Sequence, residues 1–238
     1  MNWKIIETEP QTAVEIMQKD RDLLDSIHCE QSSILHLYEW KTPSITYGHF
    51  LNPQKFFSLK AVEQEGISLA KRPTGGGIIF HLWDFAFSAI VPATNPAFSQ
   101  NTLENYAYIN EAVLGAVQEF LQIETGIELT PQDGELIGEG SQYFCMAKPT
   151  RYDVMVQGKK VAGAAQRKTK EGYLHQGSIS LMMPSSSILK AILLPELSVV
   201  EAMNFFTFPL LKQQTDLLSL TRARKQIKQL LTKHLTQR

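Results

Sequence analysis

Arg72-Pro73-Thr74-Gly75-Gly76-Gly77-Ile78-Ile79-Phe80-His81 is the stretch from which the rest of the chain is read. Adjacent glycines forfeit more backbone entropy on folding than a packing role rewards. They lie between a short apolar segment, Ile67 to Ala70, and an alternating one, Ile78 to Val91. The pattern predicts a bare backbone turn between two strands, with Lys71 and Arg72 before it and His81 after it. Such a turn comes close to a ligand and offers N–H groups to an anion or a carbonyl oxygen. Glycine also serves ordinary turns and bulges, so the stretch needs independent support.

That support lies in Gly158-Lys159-Lys160-Val161-Ala162-Gly163-Ala164-Ala165-Gln166-Arg167 and in Gly172-Tyr173-Leu174-His175-Gln176-Gly177-Ser178-Ile179. Tyr152 to Val156 alternates as a half-buried strand does, and Gly158-Lys159 reads as a hairpin turn. Lys160 opens the returning strand, whose small residues Ala162 to Ala165 leave room for a ligand above it. A second hairpin at Glu171-Gly172 leads into a strand from Tyr173 to Leu181. Taken alone, Lys160 would pass for a solvated turn lysine.

Together the clusters resemble the catalytic domain shared by lipoate–protein ligases, octanoyltransferases and biotin–protein ligases. A basic residue, two variable positions, Gly-Gly-Gly and a strand ending in His are matched by Arg72 through His81. A lysine followed by x-x-Gly-x-Ala is matched by Lys160, Gly163 and Ala165, and His-x-Gly-Ser by His175, Gly177 and Ser178. Leu37 to Phe50 also looks like this family, and the resemblance spans roughly residues 12 to 185. It implies that Arg72, Gly75, Gly76, Gly77, His81, Gly163, Ala165, His175 and Gly177 bind substrate.

The 238 residues, 43% of them apolar, are enough for one domain: a core over about 12–185 and a C-terminal helical extension over 186–238. Helices are predicted over Thr12–Ile27, from Asn52-Pro53 to about Glu65, over Thr102–Phe120, after Ser185 and Ser198, and over Thr215–Leu235. Strands and helices mix without regular β-α alternation, which gives α+β with a mostly antiparallel or mixed sheet flanked by helices. A formal net charge of −1 carries no footprint for nucleic acid. No apolar run suits a membrane span, and the acidic N-terminal segment does not read as a signal peptide, so the expected location is cytoplasmic. Cys29 and Cys145 support neither a disulfide framework nor a metal site.

Two chemistries compete within the resemblance. A ligase would adenylate lipoate with ATP and Mg²⁺ before passing it to a carrier lysine. A transferase would move octanoyl from acyl carrier protein through a cysteine thioester. Cys145-Met146-Ala147-Lys148-Pro149-Thr150-Arg151-Tyr152-Asp153 resembles the nucleophile segment of the cysteine-dependent octanoyltransferases: Cys, three residues, Pro, a small hydroxyl residue, one residue, Tyr and an acid. Cys145 and Lys160 are then the catalytic pair, the ammonium favouring the thiolate and steadying the oxyanion. The acceptors implied are lipoyl domains of 2-oxoacid dehydrogenase complexes or the glycine cleavage H protein. A chain of this length leaves no room for the accessory domain of many ligases, which favours the transferase. Two departures stand out: the first acid after His81 is Asp84, and Phe50-Leu51 stands where the transferases show Phe-Gln. A non-catalytic lipoyl-domain binder would not need Arg72, the glycines, Lys160 and Cys145 together. Biotin transfer would want a Gly-Arg-Gly-Arg type of loop, which is absent.

Overall fold

In the computed structural model, which describes residues 2–211 and 216–238, the strands sort into two sheets. They are β1 (Trp3–Glu7), β2 (Ser33–Leu37), β3 (Ser44–Tyr47), β4 (Ser68–Lys71), β5 (Ile78–His81), β6 (Asp84–Pro92), β7 (Ile127–Leu129), β8 (Val154–Val156), β9 (Lys159–Lys168) and β10 (Gly172–Ser180). The larger sheet runs β1-β2-β6-β10-β9-β8-β7, with β1 and β2 parallel and the other neighbours antiparallel. The smaller sheet runs β4-β3-β5 and is likewise mixed. The run from Ile78 to Val91 is therefore two strands in two sheets, broken at Leu82-Trp83. The α+β expectation holds.

The helices are α1 (Ala13–Asp25), α2 (Leu59–Gln64), α3 (Thr102–Leu121), α4 (Ser186–Ile192), α5 (Val199–Phe206) and α6 (Leu217–Thr236). Thr12 and Glu15 close a reciprocal capping box at the start of α1. Asn101 caps α3. The helix expected from Asn52-Pro53 to Glu65 is a 3-10 turn over Pro53–Lys55 and then α2, because Phe56 and Phe57 turn inward and Ser58 caps a new start. Thr215, where the last helix was expected to begin, lies outside the described residues.

One face of the large sheet packs on α3 and α6, burying Leu35, Phe87, Val113, Val161, Tyr173 and Ile227 among others. A second core joins the small sheet to α2, α4 and α5 through Ile45, Phe57, Phe80, Phe144, Leu189 and Met203. Residues 186–238 thus contribute to both cores. The β8–β9 hairpin turns at Gln157 and Gly158, both at positive φ (51° and 75°), so its twist matches the strands it joins. β8 pairs with β9 only over Lys159–Ala162. Beyond it, β9 has β10 as its ladder partner among the described residues, and its other edge faces the loop that carries Cys145.

Candidate active site

Cys145 opens a 3-10 turn (Cys145–Ala147) whose position is set by the aromatic residue before it. Phe144 is buried with its ring against Phe56, Phe57 and Phe80, at centroid distances of 5.8, 6.0 and 5.6 Å. Its backbone forms a parallel bridge with Ile78. That bridge sets Cys145 beside the glycine turn. A Cβ on Gly77 would run into the Tyr143 carbonyl and sit 3.2 Å from Cys145 Sγ, so this approach requires glycine. Gly76 lies at φ 82°, where L side chains are strained, and a Cβ on it would lie 3.1 Å from Ala165 Cβ on β9. Gly75 has open space around it.

Arg72 is buried beneath this turn, 2% exposed. Nη2 donates to the carbonyls of Gly75 (3.1 Å) and Gly77 (2.6 Å), which gives the turn its curvature. Nη1 donates to the Thr46 carbonyl and hydroxyl, and Nε to the Thr74 hydroxyl. All these acceptors are neutral. Burial pulls the guanidinium below its ordinary value, while the charge interaction with nearby Cys145 works the other way. All five of its N–H groups are taken by oxygens, and Arg72 is a second cation beside the Cys145 loop, in addition to the Lys160 that the sequence reading named.

Beyond Arg72 run two lines of hydrogen bonds, each ending on a buried carboxylate. With Nη1 donating to Thr46 Oγ1, the hydroxyl proton is left for His81 Nε2 at 2.8 Å. His81 then carries its own proton on Nδ1, 2.6 Å from Asp84 Oδ2, which also accepts from Ser178. Trp40 stacks on the imidazole at 4.2 Å. On the other side Thr74 donates to Gln176 Oε1 (2.8 Å), and Gln176 Nε2 donates to Asp20 Oδ2 (2.6 Å). His81 thus stands behind Arg72, one hydroxyl removed, and touches the turn only through it.

Lys160 approaches the same loop from β9. Its Nζ lies 2.6 Å from Asp153 Oδ2 and 3.3 Å from the Lys148 carbonyl, in the loop that follows Cys145. Burial raises the Asp153 carboxyl, and Lys160, then Thr150, offset part of that. A Cβ on Gly163 would come within 2.5 Å of Lys160 Cε and 3.0 Å of Asp153 Oδ1. Gly163 therefore makes room for the Lys160 side chain, not for the open slot that the small residues suggested. Tyr106 reaches the β9 edge from α3, where its hydroxyl meets the Gln166 backbone; burial first, and then the Cys145 and Asp153 charges, push it up to about 12.

His175 and Gly177 are not part of this gathering. β10 alternates, and these two project toward α3: the His175 ring lies 5.7 Å from Tyr106 and 6.1 Å from Phe87, and a Cβ on Gly177 would strike Phe87. Burial lowers His175 to about 3, and Gln166 donates to its Nδ1. Gln176 and Ser178, between them, face the turn side instead. Sequence reasoning passed over Thr46, Thr74, Gln176 and Asp20; the first three carried a signal by lying inside the quoted motifs, and Asp20 carried none. Among the described residues no cluster of three or more His, Cys, Asp or Glu could hold a metal ion, and no helix is long and apolar enough to cross a membrane.

Residues 12–202 match the lipoyl protein ligase A/B catalytic domain, and the chain belongs to that family. It is 27% identical over 207 residues to octanoyltransferase LipM of Exiguobacterium sp., spanning 86% of this chain and 75% of that one. To octanoyltransferase LipM of Bacillus subtilis it is 28% identical over 204 residues, 84% and 73% of the two chains. The fold is that of a lipoate-protein ligase A bound with ATP (TM-score 0.65, 21% identity, 97% of this chain and 85% of that one). It is also that of a bi-partite lipoate protein ligase from Thermoplasma acidophilum, studied with its E2 lipoyl domain (TM-score 0.67, 20% identity, 99% and 84%).

Proposed function

We propose that the protein is an acyltransferase that moves an octanoyl group from acyl carrier protein to a lysine of a lipoyl domain, through a thioester on Cys145. The observation that carries this reading is the sulfur of Cys145 seated against Gly77, whose carbonyl is held by the buried guanidinium of Arg72. A structural cysteine needs no buried cation, whereas a thiolate nucleophile does. The named octanoyltransferase relatives support it.

In the first half-reaction the Cys145 thiolate attacks the thioester carbonyl of the donor. The new C–S bond forms, the bond to the carrier's sulfur breaks, and the carrier leaves as a thiol after taking up a proton. In the second, a neutral lysine amine attacks the octanoyl-Cys145 carbonyl. An amide forms, Cys145 departs, and the amine proton returns to its sulfur. Both steps pass through an oxyanion. Two Lys160 protons are committed to Asp153 and Lys148, which leaves one for that oxygen. No adenylation is needed, because the donor is already activated. The acceptor classes are the lipoyl domains of 2-oxoacid dehydrogenase complexes and the glycine cleavage H protein, and all described residues form one catalytic unit.

The test is transfer to a purified lipoyl domain in two arms. Octanoyl-carrier protein without ATP should modify the domain. Modification only with ATP, Mg²⁺ and free lipoate would make the protein a ligase and Cys145 a packing residue.

A further inference from the structure

A buried polar cluster is centred on Asp20 of α1 and His36 of β2, both outside every motif quoted above. Asp20 is fully buried, and its carboxylate accepts from His36 Nδ1 (2.8 Å), Ser88 Oγ (2.6 Å) and Gln176 Nε2 (2.6 Å). Thr8 approaches the far nitrogen of His36 at 3.3 Å, and the Tyr38 hydroxyl stands 3.5 Å from Ser88. A carboxylate taken wholly out of water costs several kcal/mol and is kept where its hydrogen bonds organise something.

The directions of these bonds are forced. Asp20 is only an acceptor, so Gln176 must present its NH₂ to it and its carbonyl to Thr74. Thr74 then spends its single proton on Gln176 Oε1, which leaves a lone pair for Arg72 Nε at 3.3 Å. Every donor along the line points away from Arg72 and toward Asp20. Reversing the Gln176 amide would set its NH₂ against the Thr74 proton and its carbonyl against the Asp20 carboxylate, two clashes of like groups.

We propose that Asp20 is a positioning residue for the active site: through Gln176 and Thr74 it fixes the rotamer of Arg72, and with it the guanidinium that holds the Gly77 turn against Cys145. His36 and Ser88 hold Asp20 in place. The line needs an acceptor at Asp20, not a charge. An amide at that position still accepts from Gln176 and Ser88, while His36 shifts its proton to Nε2. The inference rests on Cys145 as the reactive sulfur, but not on which acyl group it carries.

The experiment reads the pH profile of Cys145 alkylation by iodoacetamide in the full-length protein, with Cys29→Ser as background and the melting temperature measured alongside. Gln176→Met leaves Asp20 with two partners and should slow alkylation at neutral pH about three- to tenfold, the range of one lost hydrogen bond. Its profile should move in the same direction as that of Arg72→Gln. Gln176→Met combined with Arg72→Gln should add nothing to Arg72→Gln alone. Asp20→Asn should keep a near-parent profile, whereas Asp20→Leu should reproduce Gln176→Met. An unchanged profile in Gln176→Met or in Arg72→Gln, or additive effects in the pair, would overturn the proposal. Because octanoyl transfer is not the readout, the acyl-transfer reading stands or falls separately.

Discussion

Lys160 Nζ stands 2.6 Å from Asp153 Oδ2, with both groups buried and Gly163 beneath them. A buried pair of this kind is costly to break from one side, about 3–5 kcal/mol, because the partner is left charged and dry. Lys160→Met should therefore lose both stability and transfer, the latter by roughly 10²–10³. Combining it with Asp153→Leu should restore most of the stability and none of the activity. Thermal melts and transfer rates on the two variants separate the roles; recovery of activity in the double variant would show Lys160 to be structural only.

The three glycines of the turn are not equivalent. Gly77→Ala would push its methyl into the Tyr143 carbonyl and against Cys145 Sγ, displacing the nucleophile's turn. A misplacement of about 1 Å costs on the order of 10²-fold in rate. Gly75→Ala meets nothing within 4 Å and should change stability by no more than ~0.5 kcal/mol. Equal losses in the two variants would show that the turn itself, and not its contact with the cysteine loop, is what the glycines serve.

His175 gives the fold a pH dependence of definite sign. Burial lowers it from 6.5 to about 3 in the folded chain. Between those values the unfolded chain binds the proton and the folded one does not. Stability should therefore fall as the pH drops below about 6.5, with a slope of up to ~1.4 kcal/mol per unit from this residue. Denaturant titrations at pH 7 and pH 5 should show a smaller difference for His175→Gln than for the parent. An equal or larger difference would assign the acid sensitivity elsewhere.

Local chemistry made much of this fold legible. The helix start at Thr12, the period of α3 and the Gly158 turn each act within a few residues, and the structure keeps them; the second turn falls over 169–171, with Gly172 opening β10. What stayed hidden depends on partners far along the chain. The break at Leu82-Trp83 follows from β5 pairing with β3 while β6 pairs with β2 and β10. β1 and β7 are edge strands of five and three residues that exist by pairing, too short for a period to mark them. At the site, Cys145, Lys160, Arg72 and the glycines could be named because their motifs resemble those of a known family. Which face of β10 meets the turn could not, so His175 was chosen where Gln176 is the residue that points there. Arg72 draws its acceptors from Thr46, Thr74 and the turn carbonyls, a cage that forms only once β3 lies beside β4.

The central claim is that an acyl group passes through Cys145, and intact-mass analysis of the protein after incubation with octanoyl-carrier protein tests it most directly. The parent and Cys29→Ser should each gain one octanoyl group without ATP, lose it to neutral hydroxylamine, and lose it again when a lipoyl domain is added. Cys145→Ser should acquire little, since a serine hydroxyl without a dedicated base stays un-ionised at neutral pH. A Cys145→Ser protein that modifies the lipoyl domain at the parent rate, or a parent that never carries the acyl group, would contradict the account.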